Sequence, residues 1–385
     1  MRKWLLPEAI EDVLPMEAAR VEALRRALLD HFRVRGYRLV QPPLVEFLES
    51  LLTGTGRDLD LLTFKTVDPQ SGRMLGLRAD TTPQVARIDA HLLNESGVTR
   101  LCYAGSVLRT QAAGPGATRQ VLQIGAELYG HGDVGADREI VQLLLSALDA
   151  AGLRGLHVDL GHVGIYRTLA QAAGLAGSGE GDDTELFVAL RDKDAAAVLD
   201  LTAALPEPAR GALRALPSLY GPAEATLAAA RKVLPHLPGV AAALDTMGSL
   251  AGAAAGAAQV HVDLADLRGY HYYTGATFSV FAEDERGAIA DCGRGGRYDG
   301  VGRAFGRARP ATGFSLDLRK LAALANGSAP PSIIVAPNDP DAGLDAAIAA
   351  LRGRGEAVVI ALPGETGEGR RRLVAAGGAW HVEEK

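Results

Sequence analysis

Of the 385 residues only two are cysteine, Cys102 and Cys292, and no CxxC pair occurs. That scarcity argues against a disulfide framework, excludes a metal site of the cysteine type and points to a reducing cytoplasmic compartment. No apolar run approaches the ~20 residues of a membrane span. The short run near the N-terminus is broken by Pro7 and Glu8, unlike a signal peptide. There is no excess of basic charge, the formal net charge being −6, so no electrostatic footprint for nucleic acid is visible. The patterns GxxxxGK[ST], HExxH and GxSxG are all missing, which removes the usual phosphate loop, zinc-protease and hydrolase readings. His91, His157, His162 and His261 lack ligand spacing. His261 and Asp263 alternate on one segment, but a lone pair makes a poor metal site. Neither a metal nor a cofactor is expected. Aromatics are only 5% against abundant Ala and Gly, which reads as genomic composition and carries no functional weight.

What is present is enough for two or three domains, with 48% hydrophobic residues available for a core. Pro15 to about Arg35 reads as an amphipathic helix, with Val21, Leu24, Leu28 and Phe32 at helical spacing and Gly36 as its stop. Tyr37–Val40 reads as a short strand cut off by Pro42-Pro43. Asp80-Thr81-Thr82-Pro83 looks like a cap leading into a helix. Leu101–Thr110 and Arg119–Tyr129 read as strands around a loop of turn formers. From about 175 to 258 the Ala-, Pro- and Gly-rich texture reads as a helical insertion, followed by strands at Val260–Leu264 and Ala276–Phe281. Gly327–Pro331 reads as a linker. Beyond it a small β-α-β unit is expected, with a helix over Arg370–Ala376 and a last strand at Trp380–Val382. The domains read as 1–326 and 327–385.

The clearest pattern is Arg119–Tyr129. Leu122, Ile124, Ala126 and Leu128 share one face, which is core. Gln123, Gly125, Glu127 and Tyr129 share the other, where the glycine leaves space for a ligand. Other polar residues fall in or beside strands: Asp80, Thr82, Arg109, Arg268, Tyr272 and Tyr273. Such charges are costly if buried unpaired. They either pair with one another at a sheet surface or form a site. Taken together they suit a zwitterion such as an amino acid, with carboxylates for an ammonium group and forked arginines for a carboxylate.

GYRLVQPPLVE (Gly36–Glu46) resembles motif 1 of class II aminoacyl-tRNA synthetases, the dimerisation element, and Val107–Glu127 resembles motif 2. RGYHYYTG (Arg268–Gly275) is similar to the signature of histidyl-tRNA synthetases, and GGRYD (Gly295–Asp299) with ATGFSLDLRKL (Ala311–Leu321) resembles the segment ending in motif 3. The resemblance runs from about Leu6 to Leu324. It implies an α+β fold: a class II synthetase-like antiparallel sheet flanked by helices, with the helical insertion and a small C-terminal α/β remnant. It also implies a histidine pocket. Asp80, Thr82 and Gln123 would meet the ammonium, Arg109 and Arg268 the carboxylate, and Glu127 and Tyr273 the imidazole, with Tyr272 lining the site. GGRYD reads as framework.

The nucleotide half departs from the pattern. Gln111 stands where the family has Glu, and Asp317-Leu318-Arg319-Lys320 stands where it has Gly-Leu-Glu-Arg. Lys320 cannot stack or fork as an arginine does, and the Asp317 carboxylate repels a triphosphate sharing its space. These departures resemble the regulatory subunits of ATP phosphoribosyltransferase, a paralogous family. That likeness implies no catalytic residues, free histidine as effector and a short-form ATP phosphoribosyltransferase catalytic subunit as partner. It also implies a homodimer through the motif 1-like element, with neither tRNA nor membrane. Two alternatives remain open at the level of sequence: a histidine–tRNA ligase with degenerate ATP motifs, and a stand-alone amino-acid-binding scaffold.

Overall fold

The computed structural model describes residues 5–54, 57–114, 116–175, 185–283, 287–325, 333–364 and 371–383. They belong to two compact units, Met1–Asn326 and Gly327–Lys385. In the first, helix α1 (Pro15–Arg33) buries Val21, Leu28 and Phe32, the stripe set by their spacing. After Gly36 (φ +84°) the chain enters a strand of only two residues, β1 (Arg38–Leu39). Val40 still donates its N–H to Cys102 O at 2.9 Å. Pro42-Pro43, which have no N–H to give, then end the ladder.

The central sheet contains β1, β2 (Thr99–Leu108), β3 (Gln120–Tyr129), β4 (His157–His162), β5 (Tyr220–Pro222), β6 (Gln259–Asp263), β7 (Ala276–Glu283), β8 (Ile289–Arg297) and β9 (Ala311–Asp317). Among the described residues these nine strands lie in the order β1-β2-β3-β9-β8-β7-β4-β6-β5. Neighbours run antiparallel except β1 with β2 and β4 with β6. One face carries Ile124, Ala126, Leu128, Val158 and Leu160 into the main core with α1, α3 (Val134–Ala150) and α4 (Pro238–Ala254). The opposite face carries a smaller cluster around Leu101, Tyr103, Tyr129 and Tyr298. It is covered by α2 (Thr82–Arg87), whose Val85 and Ala86 pack into that cluster.

The stretch read as an insertion is integral to this core. Leu190, Leu213, Leu216, Leu227, Val240 and Met247 all join the main cluster, and β5 extends the sheet beside β6. Its first residues, 176–184, lie outside the described part.

In the second unit the described strands lie in the order Val358–Ile360, Ile334–Ala336, Arg371–Ala376, Ala379–Glu383, with helix Ala342–Gly353 beside them. Its core is Ile334, Ala336, Leu344, Ile348, Leu351, Val358 and Leu373. Arg371–Ala376 is therefore a strand and not the expected helix. Gly377 (φ +60°) and Gly378 (φ +80°) turn it straight into Ala379–Glu383. Two consecutive positive φ values make the tight hairpin that Gly-Gly favours, and that turn outweighs the helical bias of Val374-Ala375-Ala376. The expected linker Gly327–Pro331, and Arg370, lie outside the described residues. No helix among those described is long and apolar enough to cross a membrane.

Candidate functional site

On the smaller face, Glu127 of β3 is 1% exposed and three hydroxyls converge on it. Thr82 Oγ1 and Tyr103 OH donate to Oε1 at 3.0 and 3.2 Å, and Tyr298 OH donates to Oε2. Room for this carboxyl comes from Gly313, its register partner on β9, where a Cβ would collide with Oε2. Burial pushes the Glu127 carboxyl up to about 8, against the three hydrogen bonds and with a further push from nearby Asp80. Glu127 thus carries a proton through most of the neutral range.

Asp80 is held by the start of α2. Its Oδ1 accepts from Thr82 N at 2.9 Å and from Gln123 Nε2 at 3.1 Å, while Gln123 Oε1 accepts from Thr81 N at 3.0 Å. This places a carboxylate, an amide and the Glu127 carboxyl along one wall. Tyr272 and Tyr273 face them from a turn opened by Gly269 (φ +69°). Their rings meet edge to face at 5.2 Å, and Tyr272 stacks on Tyr298 at 5.1 Å. The Tyr272 hydroxyl is buried and, among the described residues, has no hydrogen-bond partner. Such a group costs on the order of 1–3 kcal/mol, a cost that a polar ligand would relieve.

The structure thus brings together Asp80, Thr82, Gln123, Glu127, Tyr272 and Tyr273. Arg109 stands beside them, its Nε donating to Ala79 O at 3.2 Å. Arg268 is turned away: Nε and Nη2 both bond Asp266 at 2.8 Å, and its side chain is half exposed. The space above Gly125 is not open to a ligand, because the Tyr103 ring fills it. A Cβ at 125 would lie 2.4 Å from the Tyr103 hydroxyl. Tyr103 and Tyr298 are the site residues that the sequence did not disclose. Strand pairing sets Tyr103 opposite Gly125, a signal only the register reveals. Tyr298 lies inside GGRYD, whose Arg297 is indeed framework, pairing with Asp137 and Asp299.

At the altered end of β9, Asp317 caps α5 (Leu318–Leu324), accepting from Arg319 N at 3.0 Å and Lys320 N at 3.5 Å. Burial raises its carboxyl, while those N–H groups draw it back. Arg319 bonds Glu17 at 2.7 Å and Glu11 at 2.9 Å. Lys320 and Gln111 are exposed. The same N-terminal segment grips the base of the 109–119 loop: Ala9 O accepts from Arg119 N at 2.8 Å and Thr118 Oγ1 at 3.1 Å. Ala9 does this with φ +56°.

A family model for histidyl-tRNA synthetase matches residues 9–321, and one for the ATP phosphoribosyltransferase subunit HisZ C-terminal domain matches 331–383. An ATP phosphoribosyltransferase regulatory subunit from Ralstonia nicotianae is 55% identical over 390 residues, covering 100% of this chain and 99% of the relative. The chain belongs to the family of ATP phosphoribosyltransferase regulatory subunits. A protein of the same description from Burkholderia lata is also 55% identical, covering 100% of both chains. Among solved structures, an ATP phosphoribosyltransferase regulatory subunit/histidyl-tRNA synthetase from Bacillus halodurans matches with TM-score 0.80 and 28% identity, covering 95% of each chain. A histidyl-tRNA synthetase from Nostoc matches with TM-score 0.75 and 17% identity over 97% of this chain and 92% of its own, a likeness of fold alone. Membership in the regulatory-subunit family places the chain in histidine biosynthesis, on the class II synthetase-like fold expected for it.

Proposed function

We propose that this regulatory subunit senses free histidine and passes its occupancy to a short-form ATP phosphoribosyltransferase catalytic subunit in the cytoplasm, with the chemistry on that partner. The carrying observation is the wall of Asp80, Gln123 and Glu127 facing Tyr272, whose hydroxyl lacks a partner among the described residues. Asp80 and Thr82 suit an ammonium group, Arg109 a carboxylate, and the protonated Glu127 an imidazole nitrogen acceptor. Arg268 joins only by leaving Asp266, which gives histidine a way to change the loop around Gly269. Feedback then follows if the two states of the complex differ in histidine affinity; equal affinity shifts nothing.

The family's nucleotide positions support a non-catalytic reading. Asp317 and Arg319 serve the helix cap and the N-terminal segment, and Lys320 offers a point charge where a stacking fork is needed. Homodimerisation through the segment around Arg38–Leu39 is part of the same proposal, favoured by exposed Leu39, Leu44 and Val45. Calorimetric titration tests the sensor: histidine binds the wild type and binding is lost in Glu127→Ala. Silence at millimolar histidine would remove it. ATP–pyrophosphate exchange driven by histidine would instead restore the ligase, and failure to co-purify with a short-form transferase would leave a scaffold for another enzyme.

A further inference from the structure

Next to the site, and sharing Tyr103 with it, lies a cavity of about 210 Å³ lined by Gln41, Pro42, Arg78, Thr81, Tyr103, Ala104 and Gly105. Arg78 is 6% exposed and, among the described residues, has no carboxylate partner. Its Nε donates to Ser106 O and its Nη1 to Pro42 O, both at 2.8 Å. The neighbouring acid, Glu46, is committed to Arg87 and to Gln84 Nε2. A buried guanidinium bonded only to carbonyls, and compensated only by a Glu46 that other groups already hold, is an expensive arrangement that an anion would relieve. Nη2 and the second Nη1 N–H remain without a partner among the described residues. Nη2 fills the space over Gly105, where a Cβ would stand 2.4 Å from it, so the glycine is what admits the guanidinium here. Thr81 is 1% exposed and its hydroxyl also has no partner among the described residues. Among the described residues none that lines the cavity is acidic.

From this conjunction we propose that the cavity is a small-oxyanion site, with Arg78 as its charge and the Thr81 hydroxyl as its second donor. The volume far exceeds the ~30 Å³ share of one water and admits a tetrahedral oxyanion such as phosphate. The occupant neutralises Arg78 and braces the turn at Thr81, whose N–H also fixes Gln123. The cavity shares Tyr103 with the amino-acid pocket, but its test needs no histidine.

The experiment titrates the full chain with inorganic phosphate at constant ionic strength, with acetate and chloride as parallel arms. Saturable binding of phosphate is expected, weakened about tenfold in Thr81→Val, as suits one lost hydrogen bond. Gly105→Ala, which displaces the guanidinium, is expected to weaken it as much or more. Thr81→Val removes one hydroxyl at nearly constant volume, so it reports on binding even if Arg78→Met fails to fold. Saturable acetate binding with the same variant losses also supports the site and identifies the anion as a carboxylate. The proposal is overturned if neither anion binds at millimolar concentration, if chloride gives the same response, or if both variants bind like wild type.

Discussion

Two residues carry tensions that can be measured singly. Glu127 is held as a neutral acid by burial, with its proton affinity raised to about 8. Since the folded state holds this proton more tightly than the unfolded chain, its contribution to stability is fully present in acid. It is lost as pH rises from the ordinary carboxylate range through about 8. Denaturant unfolding across that range should show wild type losing stability relative to Glu127→Gln, with the two curves running parallel above it. A difference that stays constant with pH would contradict the proton's presence. Ala9 sits at φ +56° and still accepts two hydrogen bonds at its carbonyl. A left-handed residue with a Cβ costs roughly 1–2 kcal/mol, partly offset by the extra freedom glycine has when unfolded. Ala9→Gly should therefore stabilise the chain by about 0.5–1 kcal/mol, read as a higher denaturant midpoint. At this scale much of the site was legible. Alternation on Arg119–Tyr129 placed Gln123 and Glu127 on one face, and there Gln123 meets Asp80 while Glu127 meets Thr82. What alternation could not reveal was Tyr103 or Tyr298, because they reach Glu127 from β2 and from the residue just after β8. It also mistook the emptiness of Gly125 for ligand space, when a neighbouring ring needed it.

Among the elements, the end of β9 and the start of α5 show what the altered LDLRKL phrase does. Asp317 satisfies the first N–H groups of α5, so Asp317→Ala should cost about 1 kcal/mol without exposing any core. Thermal melting checks this, and an unchanged melt would mean that the cap is idle. Arg319 ties α5 to the segment before α1 and to α1 itself through Glu11 and Glu17. Arg319→Glu replaces two attractions with two repulsions and should destabilise by about 1–2 kcal/mol, given that both glutamates are substantially solvated. Hydrogen exchange should rise over residues 7–14 in that variant and stay unchanged over α3. Helices with a strong apolar stripe, such as α1, were legible. Arg371–Ala376 was not, since its alanines favour a helix and only the Gly377-Gly378 turn discloses a hairpin.

For the whole molecule, every residue of the proposed histidine pocket belongs to Met1–Asn326, which has its own continuous core. A chain ending at Asn326 should therefore unfold cooperatively and bind histidine as the full chain does, as circular dichroism and calorimetry would report. Loss of binding on truncation would show that the C-terminal unit supports the pocket. The order of motifs made the sheet expected, whereas the place of residues 185–258 did not follow from them. Their apolar side chains are spread over several helices, the longest Pro238–Ala254, and none of the motifs falls among them, so only the assembled core shows that they fill it.

The clamp at Arg319 also restricts what this position can become. Its neighbours Glu11 and Glu17 depend on a cation there, and an acid at 319 would gather three carboxylates at one spot. A substitution that removes the cation is relieved only when the two glutamates change with it. The brace thus binds three distant positions, 11, 17 and 319, into a set that varies together.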